Sequence, residues 1–217
     1  MERHLSVART TRYQQLGEAT AATRQLWVVL HGYGQLAEYF IRHFRSLYEA
    51  APENTVIVAP EALSRFYLSG TSGRIGASWM TCAHRLAEIS DQAAYLSALL
   101  ESLLATAPQA DVIVLGFSQG TATAGRWLSS LAASTGWRPR RLVLWAGDFP
   151  ADTLPAADLL PGLPVDIVCG LEDEYISPKQ FRQQATTLET HGAVVRELSF
   201  AGGHKLYPPL LAELANY

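Results

Sequence analysis

Fifteen residues, Asp111 to Gly125, constrain this chain more than any others: D-V-I-V-L-G-F-S-Q-G-T-A-T-A-G. Val112 to Leu115 form an unbroken apolar, β-branched run, the pattern of a strand buried on both faces of a parallel sheet. Small residues suited to the opening of a helix follow at once. Between the two, Gly116-Phe117-Ser118-Gln119-Gly120 fits G-x-S-x-G, a pattern in which a serine occupies a sharp strand-to-helix turn with its backbone strained and its hydroxyl clear of the sheet. Side chains at 116 or 120 would collide with a neighbouring strand or helix where the chain doubles back. With 16 Gly and 15 Ser in 217 residues, chance predicts roughly 0.08 such pentapeptides. The match alone is moderately specific, and its placement between strand and helix adds the rest. The ordinary alternative is a glycine-rich turn with an incidental serine.

The remaining chain alternates in the same way. Residues 3–16 mix β-branched and polar residues, as an exposed edge strand or hairpin would. Gln25 to Leu30 is a buried strand that runs into His31-Gly32-Tyr33-Gly34-Gln35, and Leu36, Phe40, Phe44 and Leu47 predict an amphipathic helix over 36–50. Thr55 to Ala59 is a second buried strand. Glu61 to Cys82 reads as a long irregular segment rich in aromatic residues and glycine, and loops of that length usually carry function. A helix follows around Ile89 to Leu103, then the elbow strand, then the helix that bears Trp127 and Leu128. Arg141 to Ala146 and Val165 to Cys169 are further strands, ending in Gly147-Asp148 and in Gly170-Leu171-Glu172-Asp173-Glu174. Phe181, Ala185 and Leu188 mark a helix capped at Gly192. Val194 to Phe200 is the last strand, and Ala201-Gly202-Gly203-His204 leads to a short helix around Leu210, Leu211 and Leu214.

Alternating strands and helices over this length predict one domain: an open, mostly parallel twisted sheet with helices on both faces, and no room for a separate cap domain. In such a sheet every strand's carboxyl end lies on one edge, so Ser118, Asp173 and His204 can meet despite their distance in sequence. The net charge of -3, from 17 basic and 20 acidic residues without long runs, leaves no footprint for nucleic acid. No stretch approaches the ~20 apolar residues of a membrane span, and the first residues lack a signal-peptide core. Those features predict a cytoplasmic chain without a transmembrane segment. Cys82 and Cys169 form neither a C-x-x-C nor a metal spacing.

A serine hydroxyl needs a base within hydrogen-bond reach, and that base needs an acid to orient it. His204 is the one histidine that follows the last strand, and Gly202-Gly203 lets its loop turn back over Ser118. His4, His31, His43 and His84 precede the serine, and His191 suits a helix terminus. For the acid, Asp173 stands ahead of Asp148, which also ends a strand, and of Glu172 and Glu174 beside it. An oxyanion requires preorganised backbone N–H groups; Gln119, after the serine, and Tyr33, after the first buried strand, are the candidates. His31 reads as a brace for the Tyr33 loop, since no second ligand stands at metal spacing from it.

Taken together, L-H-G-Y-G, S-W-M-T, G-F-S-Q-G, G-L-E-D-E-Y-I and G-G-H resemble the phospholipase/carboxylesterase family, which includes acyl-protein thioesterases, over about Gln25 to Leu214. The P-E-A-L-S-R-F-Y-L segment is closer to the bacterial predicted esterases within it. The resemblance implies an α/β-hydrolase fold, with Ser118 as nucleophile, Asp173 as acid, His204 as base, and the Tyr33 and Gln119 amides as oxyanion hole. Where the family commonly has S-W-F-D, this chain has Ser78-Trp79-Met80-Thr81, so an aromatic and an acidic side chain are absent from the acyl region. The expected activity is a serine carboxylesterase needing no cofactor and no metal. Its small-molecule ester or thioester substrate would carry small to medium acyl groups, walled by Phe66, Tyr67, Trp79 and Met80. Each of those side chains reads equally well as core. The same triad serves a thioesterase or lysophospholipase; a ligand-binding module on the same fold and a peptidase are further alternatives, and a homodimer stays open.

Overall fold

In the computed structural model, which describes residues 1, 3–156 and 158–215, the apolar runs become strands of one sheet. The elements are β1 (Tyr13–Leu16), β2 (Gln25–Leu30), α1 (Ala37–Phe40), a 3-10 turn (Ile41–Phe44), α2 (Arg45–Ala50) and β3 (Thr55–Pro60). There follow β4 (Ser64–Tyr67), β5 (Ile75–Ser78), α3 (Arg85–Thr106), β6 (Asp111–Phe117), α4 (Gln119–Thr135) and β7 (Arg141–Trp145). A 3-10 turn (Ala151–Ala156), β8 (Pro164–Gly170), α5 (Pro178–Thr190), β9 (Val194–Phe200) and α6 (Pro208–Ala215) complete the chain. The seven-stranded sheet has the order β1-β3-β2-β6-β7-β8-β9. Only β1 runs antiparallel, pairing Tyr13 with Pro60 and Leu16 with Ile57 at the edge.

Strand alternation divides the core in two. Val112 and Val114 of β6 face one cluster with Leu26, Val28 and the helix residues Leu96, Leu100, Trp127 and Leu188. Ile113, Leu115 and Phe117 face the other, with Trp27, Phe40, Phe44, Leu47, Leu210 and Leu214. Both faces are therefore covered by helices, and this is why the strands read as continuous apolar runs rather than alternating ones. The expected α/β-hydrolase architecture is present. Strand order reverses between β2 and β6, and the crevice at the carboxyl ends of that pair is where open α/β sheets take ligands. The loop after β2 and the turn after β6 both open there.

Three expectations about the elements need correction. The segment from Glu61 to Cys82 is not irregular throughout: β4 and β5 pair as an antiparallel hairpin, Ser64 opposite Ser78 and Tyr67 opposite Ile75. Four-residue strands joined through Gly70 and Gly73, both at positive φ, are too short for their alternation to stand out. The helix over 36–50 is broken, its middle turn tightening to 3-10 geometry at Ile41–Phe44. Residues 3–12 carry no regular secondary structure. Among the described residues no helix is long and apolar enough to cross a membrane.

The elbow glycines act by contact. A Cβ on Gly116 would lie 2.5 Å from the Gly120 carbonyl oxygen, and one on Gly120 would run into the Leu30 carbonyl oxygen at the end of β2. Because those neighbours are backbone, they have little room to yield. Gly120→Ala is therefore expected to lower the unfolding free energy by about 1–3 kcal/mol, read as a shift in urea midpoint. An unchanged midpoint would mean that α4 does not approach β2 so closely.

Candidate active site

Ser118 occupies the turn between β6 and α4 with φ 53° and ψ −119°. A non-glycine residue held there stores about 1–3 kcal/mol of strain, which persists only where the surroundings over-determine it. They do so here. The Ser118 N–H donates to Trp145 O of β7 at 2.8 Å, and the Thr121 hydroxyl reaches Ser118 O at 2.7 Å and Asp148 O at 3.0 Å.

The expected acid and base come from the ends of β8 and β9. Asp173 follows β8 and His204 follows β9, and His204 Nδ1–H donates to Asp173 Oδ2 at 2.9 Å. The Asp173 side chain has no exposed surface, and that of His204 is 15% exposed. A buried carboxylate must be fully hydrogen-bonded, and Asp173 Oδ1 also accepts the backbone N–H groups of Tyr175 at 2.8 Å and Ile176 at 3.1 Å. The two loops touch backbone to backbone. Glu172 N–H donates to Gly202 O at 2.9 Å, and a Cβ on Gly170 would run into that same carbonyl. Gly202, at φ 151°, makes the turn that delivers His204. The imidazole packs on Phe117, one residue before the serine, at 5.1 Å between ring centres, and Tyr175 meets its other side edge-on at 4.7 Å. Neither Ser118 Oγ nor His204 Nε2 hydrogen-bonds another protein group among the described residues, and in unliganded sites such bonds are often long and tighten with substrate.

The rival acid, Asp148, lines a different cleft with Arg126, Gln180 and Gln184. Burial pushes the Cys169 thiol up to about 12, helped by the Asp173 carboxylate beside it, so the sulfur stays protonated.

The backbone N–H groups of Tyr33 and Gln119 have no protein acceptor among the described residues. Their neighbours do. Gly32 N–H is held by Gln35 Oε1 at 2.8 Å, Gly34 N–H by Ala77 O at 2.8 Å, and Ala77 N–H by Gln35 O at 3.1 Å. A Cβ on Gly76 would sit 2.5 Å from Gly34 O, so β5 lies flat against this loop. The Gln119 side chain ties the same strand's end to the elbow: its Oε1 accepts Trp79 N–H at 3.0 Å and its Nε2 donates to Met80 O at 2.8 Å. This clamp is a role the sequence reading missed; a glutamine in the middle of G-F-S-Q-G was its only visible signal.

His31 is the expected brace. Nδ1–H donates to Gly32 O at 2.8 Å and Nε2 accepts Ala62 N–H at 3.1 Å, which defines one neutral tautomer. Its own carbonyl accepts the Trp79 indole N–H at 2.8 Å. Trp79 is 1% exposed and belongs to the core. The space between Trp79, Met80 and Trp127 is about 10 Å³, no more than one water needs. An acyl pocket behind Trp79 and Met80 is therefore not formed. Phe66 instead packs against Tyr33 with the rings tilted at 5.2 Å between centres, while Tyr67 and Tyr33 are exposed. Among the described residues no group of three or more His, Cys, Asp or Glu side chains is arranged to hold a metal.

A family model described as serine hydrolase (FSH1) matches residues 22–209. No curated protein sequence matches the chain. Among solved structures, esterase PE8 superposes with a TM-score of 0.75 at 23% identity, covering 96% of this chain and 97% of its own. A carboxylesterase from Mesorhizobium loti gives 0.72 at 23% identity, covering 95% and 93%. Acyl-protein thioesterase 2 from Zea mays gives 0.67 at 20% identity, covering 95% and 97%. These likenesses establish the fold.

Burial pulls the His31 imidazole from 6.5 down to about 4, against the opposing pull of the Gly32 carbonyl and of Glu61. The unfolded chain then binds the extra proton first, so stability is complete above the unfolded value and is lost as pH falls toward the folded one. The slope reaches at most about 1.4 kcal/mol per pH unit. Urea midpoints measured from neutral pH downward should fall more steeply for the wild type than for His31→Gln. Parallel curves would mean that His31 is not held neutral.

Proposed function

The chain belongs to the serine hydrolase (FSH1) family, and on that footing we propose that it is a carboxylesterase acting through an acyl-enzyme on Ser118. The observation that carries this reading is the buried Asp173 carboxylate bonded to His204 Nδ1 at 2.9 Å, at the same sheet edge as the strained Ser118. In the proposed reaction His204 Nε2 takes the Ser118 proton as Oγ attacks the ester carbonyl carbon. The carbonyl oxygen becomes an oxyanion between the N–H groups of Tyr33 and Gln119. Asp173 keeps the proton on Nδ1 and offsets the charge of the imidazolium. His204 returns its proton to the departing oxygen, and the leaving alcohol separates. Water, deprotonated by His204, then attacks the acyl-enzyme and releases the acid.

The substrate class follows from what surrounds the serine. Tyr33, Phe66 and Tyr175 form an aromatic rim, which suits small to medium acyl groups on esters or thioesters. We take residues 1–217 as one domain in which the β4–β5 hairpin, rather than a cap, walls the site.

The test is turnover of p-nitrophenyl esters from acetate to palmitate, alongside a palmitoyl thioester. Ser118→Ala and His204→Ala should each remove about 10⁶ of kcat, and Asp173→Asn about 10⁴ through the wrong imidazole tautomer. A wild type inert to every ester, to the thioester and to a fluorophosphonate would transfer the case to a ligand-binding module. Gln119→Ala keeps the backbone N–H and removes the clamp, so kcat should drop by about 10² from misplacement alone. Unchanged kcat would mean that the hairpin does not position the oxyanion loop.

A further inference from the structure

Beside the oxyanion loop, between α1 and the turn of the β4–β5 hairpin, lies a groove of about 710 Å³ that begins at Gly34. That volume falls in the range of about 300–1,000 Å³ usual for small-molecule sites. Its walls are Leu36, Tyr39 and Phe40 on one side and Leu68 and Ile75 on the other. Tyr39, Leu68 and Ile75 are 55%, 41% and 43% exposed, so this apolar surface faces the opening rather than the core.

The groove holds one uncommitted charge among the described residues. Arg74 lines it, and its guanidinium meets no carboxylate there. Arg42, by contrast, is paired with Glu38 Oε1 at 3.3 Å and lies over the Tyr39 ring at 4.7 Å. Burial disfavours the charged form of His43, also on the groove, and holds its imidazole below the usual histidine value.

The groove lies on the same side of the sheet as His204, with the buried rings of Phe40 and Phe117 between them. Phe40 on its wall meets Phe117 at 6.1 Å between ring centres, and Phe117 meets His204 at 5.1 Å. In acyl transfer the leaving group must lie at the histidine, because it collects its proton there. An apolar trough on the histidine's side of the sheet that carries a free guanidinium therefore matches the leaving group rather than the acyl group.

We propose that this groove is a leaving-group subsite, and that the substrate is an ester or thioester whose alcohol or thiol portion has an apolar body ending in an anion that pairs with Arg74. Carboxylate and phosphate share the chemistry a guanidinium recognises. The proposal rests on the esterase reading above and narrows it.

The experiment uses three acetate esters of para-substituted phenols, bearing a propionate, a methylphosphonate or a neutral propionamide. The acyl group is constant and the phenols are closely matched, so the arms differ chiefly in the charge carried into the groove. The wild type should favour the anionic esters over the amide by about fivefold in kcat/KM, as one partly exposed charge pair supports. That preference should reside in KM and shrink as salt is raised. Arg74→Glu should reverse it, Arg74→Ala abolish it, and Arg74→Lys retain part of it, with the amide ester changing less than either anionic ester. The larger of the two anionic effects identifies carboxylate or phosphate as the natural group. The proposal is overturned if all three esters change in parallel, or if the preference survives Arg74→Glu. It is equally overturned if a p-nitrophenyl half-ester of glutaric acid, with its charge on the acyl side, responds to Arg74 while the propionate ester does not. Absence of turnover for every ester in the wild type, equal to Ser118→Ala, would instead bring down the esterase reading itself.

Discussion

Everything at the functional edge depends on how closely the first turn of α4 lies against β2 and β6. The Gly116 and Gly120 contacts with backbone, rather than with adaptable side chains, bring the helix N-terminus directly over the end of β2. Two consequences follow from that single approach. Ser118 is driven to φ 53°, and the N–H of Gln119 comes to the crevice next to the loop that begins at His31. Strain at one residue is tolerable because the Trp145 carbonyl and the Thr121 hydroxyl hold both of its peptide groups.

Asp173 and His204 are positioned by the same device at a second place. Gly170 and Gly202 let the loops after β8 and β9 touch backbone to backbone, which places Asp173 under His204 without any long side chain reaching across. Asp173 can then be fully buried, since three N–H donors satisfy it. A carboxylate so committed strongly prefers one imidazole orientation. The Gln119 clamp and the His31 brace extend this logic to the loop after β2, which is fastened to β5 on one side and to buried Trp79 on the other.

Much of this was legible in the sequence because it rests on local patterns that only one geometry satisfies. Buried parallel strands show as continuous apolar runs, and β2, β3, β6, β7, β8 and β9 all stand within a residue or two of their predicted limits. The order of Ser118, Asp173 and His204 along the chain follows strand order, so their shared edge could be inferred. What escaped detection was short or non-local. The β4–β5 hairpin has four-residue strands whose stability comes from packing on the Gly34 loop. The start of α5 at Pro178 rests on a Ser177–Gln180 capping box, which the apolar spacing from Phe181 does not reveal. Trp79 looked like an acyl wall because a motif identifies a residue without saying which way its ring turns; its N–H bond to His31 O turns it inward.

That inward turn changes where selectivity has to reside. Trp79 and His31 are buried and the Gln119 side chain is bonded to Trp79 and Met80, which leaves all three little scope to discriminate between substrates. The groups free to do so are those at the opening, where apolar side chains stay exposed despite the cost of leaving them in water. Leu68, Ile75 and Tyr39 lie on one flank and Tyr175 on the other. Burial of such surface is worth about 25 cal/mol per Å², so exposed apolar side chains near Ser118 are an unused source of binding energy. A chain that spends its buried contacts on fixing geometry and keeps its exposed ones at the rim can alter its substrate preference through the hairpin turn without disturbing the strained serine beneath it.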